Sequence, residues 1–179
     1  MAAVCVYCAS SESIDAAYLE LARRVGARLA AGGHSLVSGG GRVSMMGAVA
    51  AAARAGGAHT VGVIPSHLVS YEVADTDAAE LVVVETMRER KRVMDDRADA
   101  FVALPGGIGT FEELFEVWTS ASLGMHDKPV IVLDPDGFYA PLWVYLAALR
   151  DRGFVRQAAL DVLHRVATPD EAFAVIEKA

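Results

Sequence analysis

Four stretches of this chain, VCVYC, LVVVE, AFVAL and VIVL, are apolar at nearly every position rather than at every second one. A strand with one wet face alternates apolar and polar side chains, whereas a strand covered on both faces does not. Helical patterns separate these runs. Buried strands alternating with helices imply a parallel sheet with right-handed crossovers, because the chain must return to the same end before each new strand. The expected fold class is therefore α/β, a doubly wound parallel sheet flanked by helices on both faces.

The periodicity predicts strands over residues 3–8, 35–38, 60–64, 81–85, 100–104 and 130–133, with an edge strand near 162–166. Helices are predicted over 14–31, 44–55, 87–97, 110–123 and 138–152. A terminal helix over 169–178 has Thr168 as its N-cap and Pro169 in its first turn. With 179 residues and no linker, repeat or low-complexity tract, one domain spanning 1–179 is expected. The longest irregular stretch is PSHLVSYEVADTDAA, residues 65–79. A loop of that length in a compact domain is often a lid or binding element.

Composition excludes several classes. Hydrophobic residues make up 54% of the chain, too many for disorder. The formal net charge of -7 argues against a nucleic-acid-coating surface, which leaves a basic footprint. No apolar run approaches the ~18 residues of a membrane span. The start, MAAVCVYCASS, lacks the basic and apolar regions of a signal peptide, so a cytoplasmic location is expected. Cys5 and Cys8 form a C-x-x-C, but within a strand, where residues three apart point to opposite faces. Buried structural thiols are expected rather than a redox pair.

In a parallel sheet, ligands collect outside the C-terminal strand ends. Three of those ends open into small or hydroxylic residues: Ala9-Ser10-Ser11, Ser38-Gly39-Gly40-Gly41 and Pro105-Gly106-Gly107-Ile108-Gly109-Thr110. All three are expected on one rim, where bare amides at a helix start favour an anion. The dinucleotide spacing G-x-G-x-x-G fails, because Gly107 and Gly109 are followed by Glu112. No Gly-Lys-Ser/Thr is present for a Walker A loop. Thr110 and Glu113 have two readings. T-x-x-E is a capping box, or Glu113 is an acid facing a ligand. MRERKRVMDDR, residues 87–97, likewise reads either as a solvated charged helix face or as a basic cluster beside a fixed anion. The five histidines are scattered without metal-ligand spacing, and no cofactor-binding pattern surrounds a lysine. Neither metal nor cofactor is expected.

The segment MRERKRVMDDRADAFVALPGGIGTFEELFEVWT, followed by LGMHDKPVIVLDPDGFY, resembles the Lonely Guy family of cytokinin riboside 5'-monophosphate phosphoribohydrolases, long mislabelled lysine decarboxylases. Its PGGxGTxxE motif is complete from Pro105 to Glu113, and its arginine–lysine pair stands at Arg90-Lys91. The earlier SGGGRVSMMGAVA also resembles the family's glycine-rich second loop. The resemblance implies a Rossmann-like fold, commonly a homodimer, that binds a nucleoside 5'-monophosphate and releases free base and ribose 5-phosphate. It implies Arg90 and Glu113 as the catalytic pair. It implies nucleotide contacts from Gly107, Ile108, Gly109, Thr110, Phe111, Glu112 and Glu113, with Arg90 and Lys91 alongside. Glu72 in the long loop and Thr119 beyond the motif align with further contacts. Related Rossmann-like proteins resemble molybdenum-cofactor carriers, so a non-catalytic carrier or sensor is the rival expectation. Apolar residues on 111–123 spread wider than one stripe, which suggests burial against a second subunit.

Overall fold

The computed structural model describes residues 1–69 and 73–179. Seven parallel strands form one sheet in the order β4-β3-β2-β1-β5-β6-β7. They are β1 (Ala3–Tyr7), β2 (Ser35–Ser38), β3 (Thr60–Pro65), β4 (Glu80–Val84), β5 (Ala100–Ala103), β6 (Val130–Leu133) and β7 (Leu163–Val166). The helices are α1 (Ala16–Ala31), α2 (Ser44–Ala55), α3 (Met87–Arg97), α4 (Ile108–Ser122), α5 (Ala140–Asp151), α6 (Gln157–Asp161) and α7 (Pro169–Ile176).

The strands are apolar throughout because helices bury both faces. Val4, Val6 and Cys8 pack with α1, α2 and α7, while Cys5, Tyr7 and Phe101 pack with α3, α4 and α5. Cys5 and Cys8 thus lie on opposite faces, both buried and free. Phe101 is fully buried and stacks on Tyr7 at 6.1 Å; truncation of such a side chain to Ala costs ~3–5 kcal/mol. Helices α1 and α2 pack backbone to backbone at Gly26, where a Cβ would collide with the Val49 carbonyl oxygen.

Local signals account for the helix boundaries. The Asp15 side chain caps α1 through the Ala17 amide at 2.8 Å. Thr168 and Glu171 form a complete capping box on α7, with Pro169 in the first turn. Three differences from expectation stand out. The short helix α6 has only five residues and no capping side chain, so it leaves little pattern. The stretch 65–79 opens with a 3-10 turn, Ser66–Leu68. Helix α4 begins at Ile108 rather than at Thr110.

Connections β1 to β2, β2 to β3 and β3 to β4 step outward on one side, whereas β4 to β5 crosses back to the other side of β1. The crevice between the ends of β1 and β5 is therefore the point where strand order reverses, the place where such sheets receive ligands.

Candidate active site

Loops from β1 and β5 meet at this crevice. The Leu104 amide donates to the Tyr7 carbonyl at 2.9 Å and the Ala9 amide to the Pro105 carbonyl at 3.3 Å, which ties the first loop to the third. Tyr139, buried at the start of α5, donates its hydroxyl to the Leu104 carbonyl at 2.6 Å. Burial, then Asp134, pushes the Tyr139 phenol up, so it remains a donor.

A hollow of about 270 Å³ opens here, with Cys8, Ser10 and Ser11 on one side and Gly107, Ile108, Gly109 and Thr110 on the other. Arg90, Glu112 and Glu113 line it, as do Met46, Leu68 and Met87. Larger depressions exist, about 590 Å³ between α1 and α2 and about 730 Å³ near the N-terminal strand ends. Neither is lined by residues from the C-terminal ends of both β1 and β5, where strand order reverses, so size does not locate the site.

The start of α4 is uncapped by any side chain. Its N-cap is Gly107, and the first turn closes when the Phe111 amide donates to the Gly107 carbonyl at 3.0 Å. The amides of Ile108, Gly109 and Thr110 precede that bond and have no intrahelical acceptor. A Cβ on Gly107 or Gly109 would meet nothing within 4 Å. Of the two readings of Thr110 and Glu113, the capping box is thus absent. Thr110 sits inside the helix, buried, with its side chain filling the space left by Gly106. Glu113 lies one turn further on and faces the hollow, partly buried.

Arg90 is buried to 5% exposure in the second turn of α3. Its Nε donates to the Val63 carbonyl at 3.0 Å and its Nη2 to the Gly39 carbonyl at 2.8 Å. A buried guanidinium needs such acceptors, and these two backbone carbonyls are among them. Gly39 is glycine because a Cβ there would run into the Arg90 guanidinium. The second glycine-rich loop leaves β2 on the expected rim but does not serve as an open anion platform there. Instead it seats this arginine, and Gly39, Gly40 and Gly41 do not line the hollow. The same loop is stitched to the long loop, since the Asp75 amide donates to the Gly40 carbonyl at 2.8 Å and the Arg42 amide to the Val73 carbonyl at 3.0 Å. Below it, Arg54 and the buried Asp75 carboxylate pair at 2.6 Å.

The remaining basic residues of α3 are largely a solvated face. Arg92 pairs with Asp96 and Arg97 pairs with Glu80, all four substantially exposed. Lys91 does not line the hollow; its Nζ stands 2.5 Å from both Glu112 Oε1 and Glu116 Oε2. Burial draws the Lys91 pKa down, but the two carboxylates outweigh it and hold the ammonium above the usual lysine value. Phe111 packs edge-on against Tyr139, and Thr119 is exposed further along α4; neither lines the hollow. Glu72 lies outside the described residues. At the floor, burial and then the Glu113 carboxylate push the Cys8 thiol up, so it is protonated and inert. Met46, Leu68 and Met87 escaped sequence reasoning, because single apolar residues carry no motif. No group of His, Cys, Asp and Glu among the described residues fits a metal.

Fold and hollow together define a Rossmann-like α/β protein with an anion-ready helix start set against a buried arginine and a glutamate. Sequence comparison narrows that class. Residues 46–176 match the family model described as "Possible lysine decarboxylase". The cytokinin riboside 5'-monophosphate phosphoribohydrolase of Mycobacterium marinum is 56% identical over 94% of this chain and 90% of its own. That of Mycobacterium tuberculosis is 55% identical over 89% of this chain and 85% of its own. The LOG enzyme of Oryza sativa is 42% identical over 98% of this chain and 72% of its own. The chain belongs to this family, the Lonely Guy family of cytokinin riboside 5'-monophosphate phosphoribohydrolases. Among solved structures, the molybdenum cofactor binding protein of Rippkaea orientalis superposes with a TM-score of 0.75 at 21% identity, covering 98% of this chain and 95% of that one. At that identity the likeness is one of fold alone.

Proposed function

We propose that this protein hydrolyses the N-glycosidic bond of cytokinin riboside 5'-monophosphates and AMP, giving the free base and ribose 5-phosphate. One observation carries the reading: Arg90 and Glu113 line the same hollow as the bare amides that open α4. The 5'-phosphate sits on those amides, where the helix dipole favours an anion. The anomeric carbon then faces Glu113. Cleavage passes through an oxocarbenium-like state, which a carboxylate stabilises, or serves by taking a proton from the incoming water. Water adds its oxygen to C1' as the C–N bond breaks, and the base leaves with that bonding pair and a proton. Arg90 is permanently charged, so it orients and stabilises anionic or departing groups rather than shuttling protons.

The decarboxylase description fits this chain poorly. A Schiff-base lysine must be free to lose its proton. Lys91 is held charged by two carboxylates, and Lys128 is bound to the Asp95 carbonyl and carboxylate at 2.7 and 3.1 Å. We further infer one nucleotide-binding domain acting as a cytoplasmic homodimer. Phe115 on α4 and Leu123 just past its end remain exposed after Leu114, Val117 and Trp118 have filled the core, and no helix among the described residues is long and apolar enough to cross a membrane. Sedimentation as a monomer alone would contradict the dimer.

The test is incubation with AMP and with isopentenyladenosine monophosphate, following free base and ribose 5-phosphate. Release from both, with the unphosphorylated nucleosides poor substrates, is expected. Tight nucleotide binding without turnover would point instead to a carrier.

A further inference from the structure

Arg90 and Glu113 ride on different helices, which flank each other over β1. Helix α3 lies chiefly over β3 and β1, with α4 over β6, β1 and β5. Lys91 directly follows Arg90, and Glu112 directly precedes Glu113. Lys91 Nζ spans the gap, 2.5 Å from Glu112 Oε1 and 2.5 Å from Glu116 Oε2. The two glutamates are one turn apart on α4 and would repel each other without the cation between them. The lysine side chain is 16% exposed, so water competes little for its ammonium.

We propose that Lys91, Glu112 and Glu116 form a clamp that sets the spacing of Arg90 and Glu113, and that Glu116 is a positioning residue for the reaction. This rests on the phosphoribohydrolase reading. It gives Lys91 a role distinct from the nucleotide contact that family resemblance implies. It also accounts for Glu116, which stands outside the PGGxGTxxE motif and does not line the hollow. Both glutamates are about half exposed, at 52% each, so the clamp adds little to global stability. Its loss is felt in geometry, where a small displacement of reacting groups is costly.

The experiment is a double-mutant cycle of Glu116→Gln and Lys91→Met, read as kcat and KM for AMP together with thermal midpoints. Each single change is expected to lower kcat roughly tenfold to a hundredfold, with KM and the thermal midpoint little changed. The double variant should be no worse than the poorer single one, because both remove the same link. Two results overturn the clamp: losses in kcat that multiply, or a rise in KM confined to Lys91→Met with Glu116→Gln unaffected. The second would make Lys91 a phosphate ligand. A signal independent of turnover accompanies these. The Arg90 Nε–H, bonded to the Val63 carbonyl, should change its nitrogen-15 resonance in both variants, and an unchanged resonance in both also overturns the clamp. Absence of turnover in the unaltered protein strikes at the proposed reaction, and the clamp is then judged on that resonance.

Discussion

Two glycine-rich loops leave this sheet at its C-terminal rim, and they do opposite things. At 38–41 the missing side chains make room for the protein itself: Gly39 gives way to the Arg90 guanidinium, and Gly40 holds a left-handed φ of 74° against β3. At 105–109 only Gly106 is filled from within, by Thr110, whereas Gly107 and Gly109 face open space. The first loop is a socket for a protein cation, and the second is left open, as the proposed phosphate platform requires. Glycine content alone does not separate these uses; what a Cβ would strike does.

The largest expected effect lies on the platform side. Glu113→Gln should lower kcat by roughly 10²–10⁴, the range of a positioned general base, with folding intact and AMP binding kept. Activity equal to that of the unaltered protein would remove the glutamate from the chemistry. Next comes the socket. Gly39→Ala should push Arg90 from its carbonyl acceptors, costing ~1–3 kcal/mol of stability as overpacking does and lowering kcat by about 10² through misplacement. A variant with unchanged thermal midpoint and rate would dissolve the contrast between the loops. Gly109→Ala should act the other way. It places a methyl in open space inside a helix, so stability holds or rises by up to ~1 kcal/mol. Yet the added methyl should crowd a phosphate on the neighbouring amides, raising KM for AMP roughly tenfold, about 1.4 kcal/mol of binding.

The smallest effect lies far from both loops. Arg28 binds Glu177 at 2.9 Å and Asp170 at 3.0 Å, which holds the Glu177 carboxyl below its usual range. A depressed carboxylate contributes stability above its ordinary value and loses it as pH falls through the depressed one. Acidification below the ordinary carboxylate range should therefore loosen the tie of Glu177 to Arg28 while leaving both loops intact. The measurement is amide exchange along 169–177 against 105–113 on lowering pH, and earlier opening of the second segment would contradict it.

The sheet was legible because its strands are apolar on both faces; every predicted strand is present within a residue at each end. The compact motif between Pro105 and Glu113 pointed to the loop and glutamate that line the hollow. The start of α4 was misjudged because T-x-x-E mimics a cap, and the sequence does not reveal that Gly106 lets Thr110 sink beneath the loop. The socket was hidden for a different reason. Gly39 and Arg90 are 51 residues apart, and only folding makes the arginine the reason for the glycine. The family resemblance placed Lys91 beside the nucleotide, but its partners Glu112 and Glu116 emerge only when α3 and α4 are set side by side.

Nitrogen-15 amide shifts of the Glu113→Gln protein, titrated with AMP and separately with adenosine, probe the phosphate platform most directly. AMP should move the amides of Ile108, Gly109 and Thr110 far more than adenosine does, and leave those of Gly39, Gly40 and Gly41 nearly still. Equal shifts from both ligands, or a response centred on Gly39 to Gly41, would contradict an anion held at the opening of α4.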